Sequence, residues 1–106
     1  MSKGLSITGI GAVSPAGWGV APMMAALESG APLPLSEIER PLADGSVRTP
    51  VLKVPADTSS IPKFPRLRRA SPISKFAAAA AMEALGEERY QQSLAGEIRV
   101  GVIFTL

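Results

Sequence analysis

The chain has no cysteine and no histidine in its 106 residues. It therefore has no thiol nucleophile and no imidazole base, and it can supply neither thiolate nor imidazole ligands to a metal. Its acid and base groups are nine carboxylates, the lysines and arginines, and one tyrosine. We expect this chain, taken alone, to carry no catalytic residue, no metal site and no cofactor-binding residue.

Long apolar runs and strong net charge are also missing. No stretch approaches the roughly 20 apolar residues of a membrane-spanning helix, and the first residues lack the pattern of a signal peptide. The net charge of +2 is too small to indicate nucleic-acid binding. Together with the lack of cysteine, these features predict a cytoplasmic protein without a membrane span. The hydrophobic content of 46% is that of one small globular domain.

Residues 5–30 are predicted to form a strand followed by a helix. The run 5–10 is β-prone, and closely spaced glycines and Pro15 then end it. Four apolar residues follow at the spacing of one helical face, and Gly30 is a suitable stop. These four are Val20, Met23, Met24 and Leu27.

Residues 31–70 are predicted to be a long, irregular, proline-rich connection, because eight of the ten prolines lie between positions 31 and 72. Asp44-Gly45 is a turn signal, and residues 46–54 are compatible with a short extended segment returning from it. Glu37 and Glu39 are two positions apart and would point apart on a helix. We expect both to be solvated surface residues and not an acid–base pair.

Residues 71–106 are predicted to form a helix and a strand. Ser71 is a good N-cap, Pro72 suits the first helical position, and Gly86 ends the pattern. The alanine-rich middle of this helix allows a neighbour to approach closely. A polar stretch with helical character follows at 87–94. The apolar residues then alternate from 98 to 106, which predicts a buried strand.

The order of these elements predicts an α/β fold with a parallel sheet. Two strands do not make a stable sheet of this kind, and the predicted last strand reaches Leu106 without a helix to cover it. We therefore expect the fold to be incomplete without a further chain segment.

The segment Gly9-Ile-Gly11 lies between a predicted strand and a predicted helix, as in dinucleotide-binding turns. The match is poor, since Ser14 stands where a third glycine or alanine belongs and Pro15 follows it. A structural turn is the favoured interpretation, with nucleotide binding as the alternative.

Five of the eleven basic residues lie between positions 63 and 75, and no acidic residue occurs from 58 to 82. Two interpretations stand side by side. The segment is either a solvated loop or a docking site for an acidic partner or a phosphate. Residues 68–71, Arg-Arg-Ala-Ser, also fit a short basic kinase-site pattern, although Ser71 already serves as a helix cap.

Several of these motifs, in this order, resemble the thiolase-like condensing enzymes, in particular the β-ketoacyl-[acyl-carrier-protein] synthases. Residues 6–19, Ser-Ile-Thr-Gly-Ile-Gly-Ala-Val-Ser-Pro-Ala-Gly-Trp-Gly, are similar to the opening strand and turn of that family. The helix ending at Gly30, the 68–71 segment with its alanine-rich helix, and Arg-Val-Gly-Val-Ile at 99–103 are similar to later elements. The resemblance spans nearly the whole chain.

The resemblance implies a partial thiolase-like fold and a role in fatty acid or polyketide synthesis. In the family, a cysteine and two histidines perform the decarboxylative Claisen condensation, and all three lie beyond the part matched here. The chain would need that missing part, would dimerise when complete, and would be inactive alone. The basic segment corresponds to the family's docking face for acyl carrier protein, which gives four candidate docking residues: Lys63, Arg66, Arg68 and Arg69. The alternative is a non-catalytic carrier-protein-binding or chain-length-factor-like module.

Overall fold

A computed structural model describes residues 4–56 and 58–105. This part of the chain is a small mixed α/β structure with three α-helices and two antiparallel two-stranded sheets. The elements are β1 (Val13–Ser14), β2 (Gly17–Trp18), α1 (Val20–Ser29), β3 (Ser36–Leu42), β4 (Gly45–Val51), two 3₁₀ turns (Thr58–Ser60 and Pro65–Arg69), α2 (Pro72–Leu85) and α3 (Glu87–Leu94).

Helices form in all three places that the sequence indicates, and the boundaries predicted from cap residues are confirmed. α1 ends at Gly30, which has φ 66° and donates its N–H to the carbonyl of Ala26. Ser71 caps α2 by accepting a hydrogen bond from the backbone N–H of Ser74 at 3.4 Å, and Gly86 ends that helix. These boundaries were predictable because a cap acts within one turn of its own helix.

The strands predicted at 5–10 and 98–106 are not formed. Residues 5–10 and 98–105 belong to no helix or strand, and Leu106 lies outside the described residues. Their side chains are largely exposed, with Leu5 at 105% and Ile103 at 94%. A strand exists only where another strand accepts its hydrogen bonds, and the described part of this chain provides no such neighbour. The predicted parallel sheet is therefore absent from the described residues.

The proline-rich connection contains a regular β-hairpin where we expected irregular chain. β3 pairs with β4 from Ser36 opposite Val51 to Leu42 opposite Gly45. The turn signal at Asp44 is confirmed, although the turn residues are Ala43 and Asp44, and Gly45, with φ 140°, begins β4.

Glu37 and Glu39 lie in β3 of this hairpin and both are exposed, as expected. Because they are in a strand and not a helix, residues two apart share a face, so the two carboxylates lie on the same side and do not point apart. Each has its own partner. Glu37 lies 4.0 Å from Arg48, and Glu39 accepts a 2.6 Å hydrogen bond from Ser46.

The N-terminal segment packs closely on α2. A Cβ added at Gly9 would overlap the carbonyl oxygen of Ala84, and one added at Gly11 would overlap that of Ala80. Only glycine permits this approach, and small alanines on the helix leave room for it. The close contact anticipated for the alanine-rich helix is therefore made by residues 9–11.

Glu83 of α2 ties the following turn to the helix. One carboxylate oxygen accepts the backbone N–H of Ala12 at 2.9 Å, and the other accepts that of Val20 at 3.1 Å. Val20 is the first residue of α1, so this carboxylate also satisfies a free N–H at a helix start. One side chain thus joins α2, the β1–β2 turn and α1.

Trp18 makes the second link. Its ring stands edge-on to Phe76 of α2, with centroids 5.5 Å apart. Its indole N–H donates a 2.7 Å hydrogen bond to the carbonyl of Pro55. The chain that follows the hairpin is thereby held against β2 and α2.

The described residues contain no buried apolar side chain. The chain exposes 8990 Å², whereas a compact monomer of 11.0 kDa exposes about 5600 Å². Its Cα radius of gyration is 17.8 Å, against about 13 Å for a compact domain of this length. The elements form locally and touch, but they do not enclose a core.

Candidate functional site

The basic segment is a short 3₁₀ turn, Pro65–Arg69, leading into the N-terminus of α2. The turn is fixed by the hydrogen bond from the N–H of Leu67 to the carbonyl of Phe64, at 2.9 Å. Phe64 packs against Tyr90 of α3, with ring centroids 5.8 Å apart. The backbone that carries the arginines is therefore held at both ends, by an aromatic contact before it and a capped helix after it.

All four predicted docking residues, Lys63, Arg66, Arg68 and Arg69, are exposed. None of them forms a salt bridge within 4–56 and 58–105, where the ion pair present is Arg48 with Glu37 in the hairpin. These are uncompensated positive charges at the surface. Such charges attract an acidic partner from a distance and are screened by salt.

The structure brings only two of the four together around a common depression. Lys63 and Arg68 line an open depression of about 580 Å³. The third cation there is Lys75, in the first turns of α2, which the sequence interpretation had counted in the basic segment but not among the docking residues. The floor is apolar and is formed by Ile61, Pro62, Phe64, Pro65 and Leu67.

Lys75 could have been found from the sequence. It follows the N-cap Ser71 by four residues, and a position one turn into a helix lies above the chain that enters that helix. By contrast, Arg66 and Arg69 are three residues apart in a 3₁₀ turn, so they share a side that differs from that of Arg68. The predicted docking set therefore divides into two parts.

A second, largely apolar groove lies on the other side of Phe64 and Tyr90. We call it the end groove, because both end segments of the described chain line it, through Thr8 and Gly9 and through residues 100–103. Its base consists of α2 and α3 residues, among them Met82 and Leu85. Arg89 of α3 donates a hydrogen bond to the hydroxyl of Thr8 at one margin.

The glycine turn packs against α2. The space that glycines leave for a pyrophosphate in nucleotide-binding turns is filled here by backbone carbonyls of α2. The N–H groups of Ala12 and Val20, which would bind an anion, already bind the Glu83 carboxylate. These contacts support the structural interpretation of Gly9 and Gly11.

The described residues contain no cluster of three or more carboxylates with metal-ligand geometry. Among the same residues, no helix combines the length and apolar character needed to cross a membrane. No protein-family model, curated protein or solved structure matches the chain.

Proposed function

We propose that this chain is the N-terminal part of a ketosynthase-like acyltransferase and acts only with a companion segment that carries a cysteine and two histidines. The complete enzyme would join an acyl thioester to a malonyl carrier-protein unit, with loss of carbon dioxide. The proposal begins from the ordered set of motifs at 6–19, 68–71 and 99–103. The chain itself would supply structure and docking, not the nucleophile.

The observation that carries the proposal is the end groove. Residues 4–10 and 100–105 contain no charged residue. Their apolar side chains are exposed, and contact between apolar surface and water is unfavourable in free energy. Both segments border the same groove over α2 and α3. A companion that adds strands beside them would satisfy their backbone groups and cover those side chains.

The area available fits such a companion. The chain exposes about 3400 Å² more than a compact monomer of its mass, whereas a standard interface buries about 800 Å² per partner. A surplus of this size leaves enough exposed area for such a companion to cover.

The test is reconstitution. The source polypeptide or its neighbouring genes are searched for a segment with a cysteine at a strand-to-helix turn and two histidines, and the two parts are produced together. We expect a stable complex that forms a β-ketoacyl product and releases carbon dioxide from malonyl carrier protein, while each part alone is inactive. A companion that binds without any condensation activity would contradict the enzymatic part of the proposal.

A second candidate, a non-catalytic carrier-protein-binding module, is favoured by the uncompensated cations around the basic depression. Its test is titration of an acidic acyl carrier protein onto the chain. Reversing Lys63 and Arg68 to glutamate should weaken binding about tenfold or more, because both line the same depression.

The matched control for that titration is reversal of Lys53 and Arg99, two exposed cations that do not line the depression. It changes the net charge equally and should alter affinity by no more than about threefold, the effect of overall charge. Equal losses in the two double variants would mean that only net charge matters. Unchanged affinity in the variant with Lys63 and Arg68 reversed would contradict a docking role for the depression.

A further inference from the structure

We draw no further inference here: the strongest candidate, the open depression that Lys63, Arg68 and Lys75 line between the Pro65–Arg69 turn and the start of α2, belongs to the site already described, and nothing in the structure shows what covers its apolar floor.

Discussion

At the scale of single residues, Gly9 and Gly11 are important because of what lies where their side chains would be. Both positions face backbone carbonyls of α2, so the reason for glycine is steric and not a need for an unusual backbone angle. The sequence motif alone allowed two explanations, a phosphate-binding turn and a structural one. The contact with Ala80 and Ala84 supports the second.

Gly11→Ala should destabilise the contact between the N-terminal segment and α2. The added methyl group overlaps the Ala80 carbonyl, and backbone can relieve the overlap only by moving. We expect a loss of about 1–3 kcal/mol in the free energy of unfolding, the usual effect of overpacking. Urea unfolding followed by the fluorescence of Trp18, the only tryptophan, measures it.

Gly101→Ala is the control for this substitution, because a Cβ at Gly101 meets no atom within 4 Å. It should change the unfolding free energy by less than about 0.5 kcal/mol. Equal effects of the two alanines would mean that residue 11 does not lie against α2 in solution.

At the scale of elements, α2 is the organising unit. Its alanines accept the N-terminal segment, its Phe76 contacts Trp18, and its Glu83 binds the β1–β2 turn and the start of α1. Each of these partners lies more than 50 residues away in the sequence. The helix was predictable from its own caps and composition, but the identity of its neighbours was not.

Glu83→Ala should loosen the turn and the first residues of α1 together. It removes both acceptors, and a hydrogen bond to a charged group contributes about 1.5–3 kcal/mol when buried and less at an exposed site such as this one. We expect the free energy of unfolding to fall by about 2 kcal/mol in Glu83→Ala. In Glu83→Gln, which keeps one oxygen acceptor, it should fall by about half of that.

Amide hydrogen exchange at Ala12 and Val20 provides the specific measurement, since both N–H groups lose their partner in Glu83→Ala. Glu97→Gln serves as the control, because the side chain of Glu97 has no hydrogen bond or ion pair in the described chain. Unchanged exchange at Ala12 and Val20 in Glu83→Ala would show that the carboxylate does not hold the turn.

The strands show where the prediction of secondary structure from local sequence pattern fails. Residues 46–51 were correctly expected to return from the Asp44 turn, because a hairpin carries its own partner strand close in sequence. Residues 5–10 and 98–105 have the right composition for strands but no partner within the described chain. Alternating apolar residues indicate a surface that must be covered, and they do not say what covers it.

At the scale of the whole molecule, the dominant fact is the missing core. A 46% hydrophobic sequence should be able to bury apolar side chains, yet the described chain buries none. The exposed apolar residues are spread along the chain, from Leu5 and Ile7 through Leu27, Leu42 and Ile73 to Ile103 and Phe104. This exposed apolar surface agrees with our proposal that a companion segment covers part of the chain.

Small-angle X-ray scattering should report this open shape. For the purified monomeric chain we expect a radius of gyration near the 17.8 Å of the Cα trace and clearly above the value of about 13 Å for a compact domain. Scattering collected behind a size-exclusion column separates the monomer from associated species. A compact monomer would mean that the two end segments or the hairpin fold back to form a core.

The depression that Lys63, Arg68 and Lys75 line was predicted from the sequence only in part. Local charge density identified Lys63, Arg66, Arg68 and Arg69, and all four are exposed. Only folding decided that Lys63 and Arg68 share a depression with Lys75 and that its floor is apolar. Side-chain grouping depends on where the chain turns, and a one-residue change in a 3₁₀ turn moves a side chain about a third of the way around the axis.

The sequence by itself determined the Ser71 cap of α2, the glycines that end α1 and α2, the turn near Asp44, the stretch free of acidic residues and the lack of any thiol or imidazole. All of these depend on residues within a few positions of one another. Only the tertiary structure decided that glycines 9 and 11 face α2, that Glu83 occupies the place of an anion, and that the end segments stay without strand partners. These depend on contacts between distant parts of the chain, which the local pattern of residues does not encode.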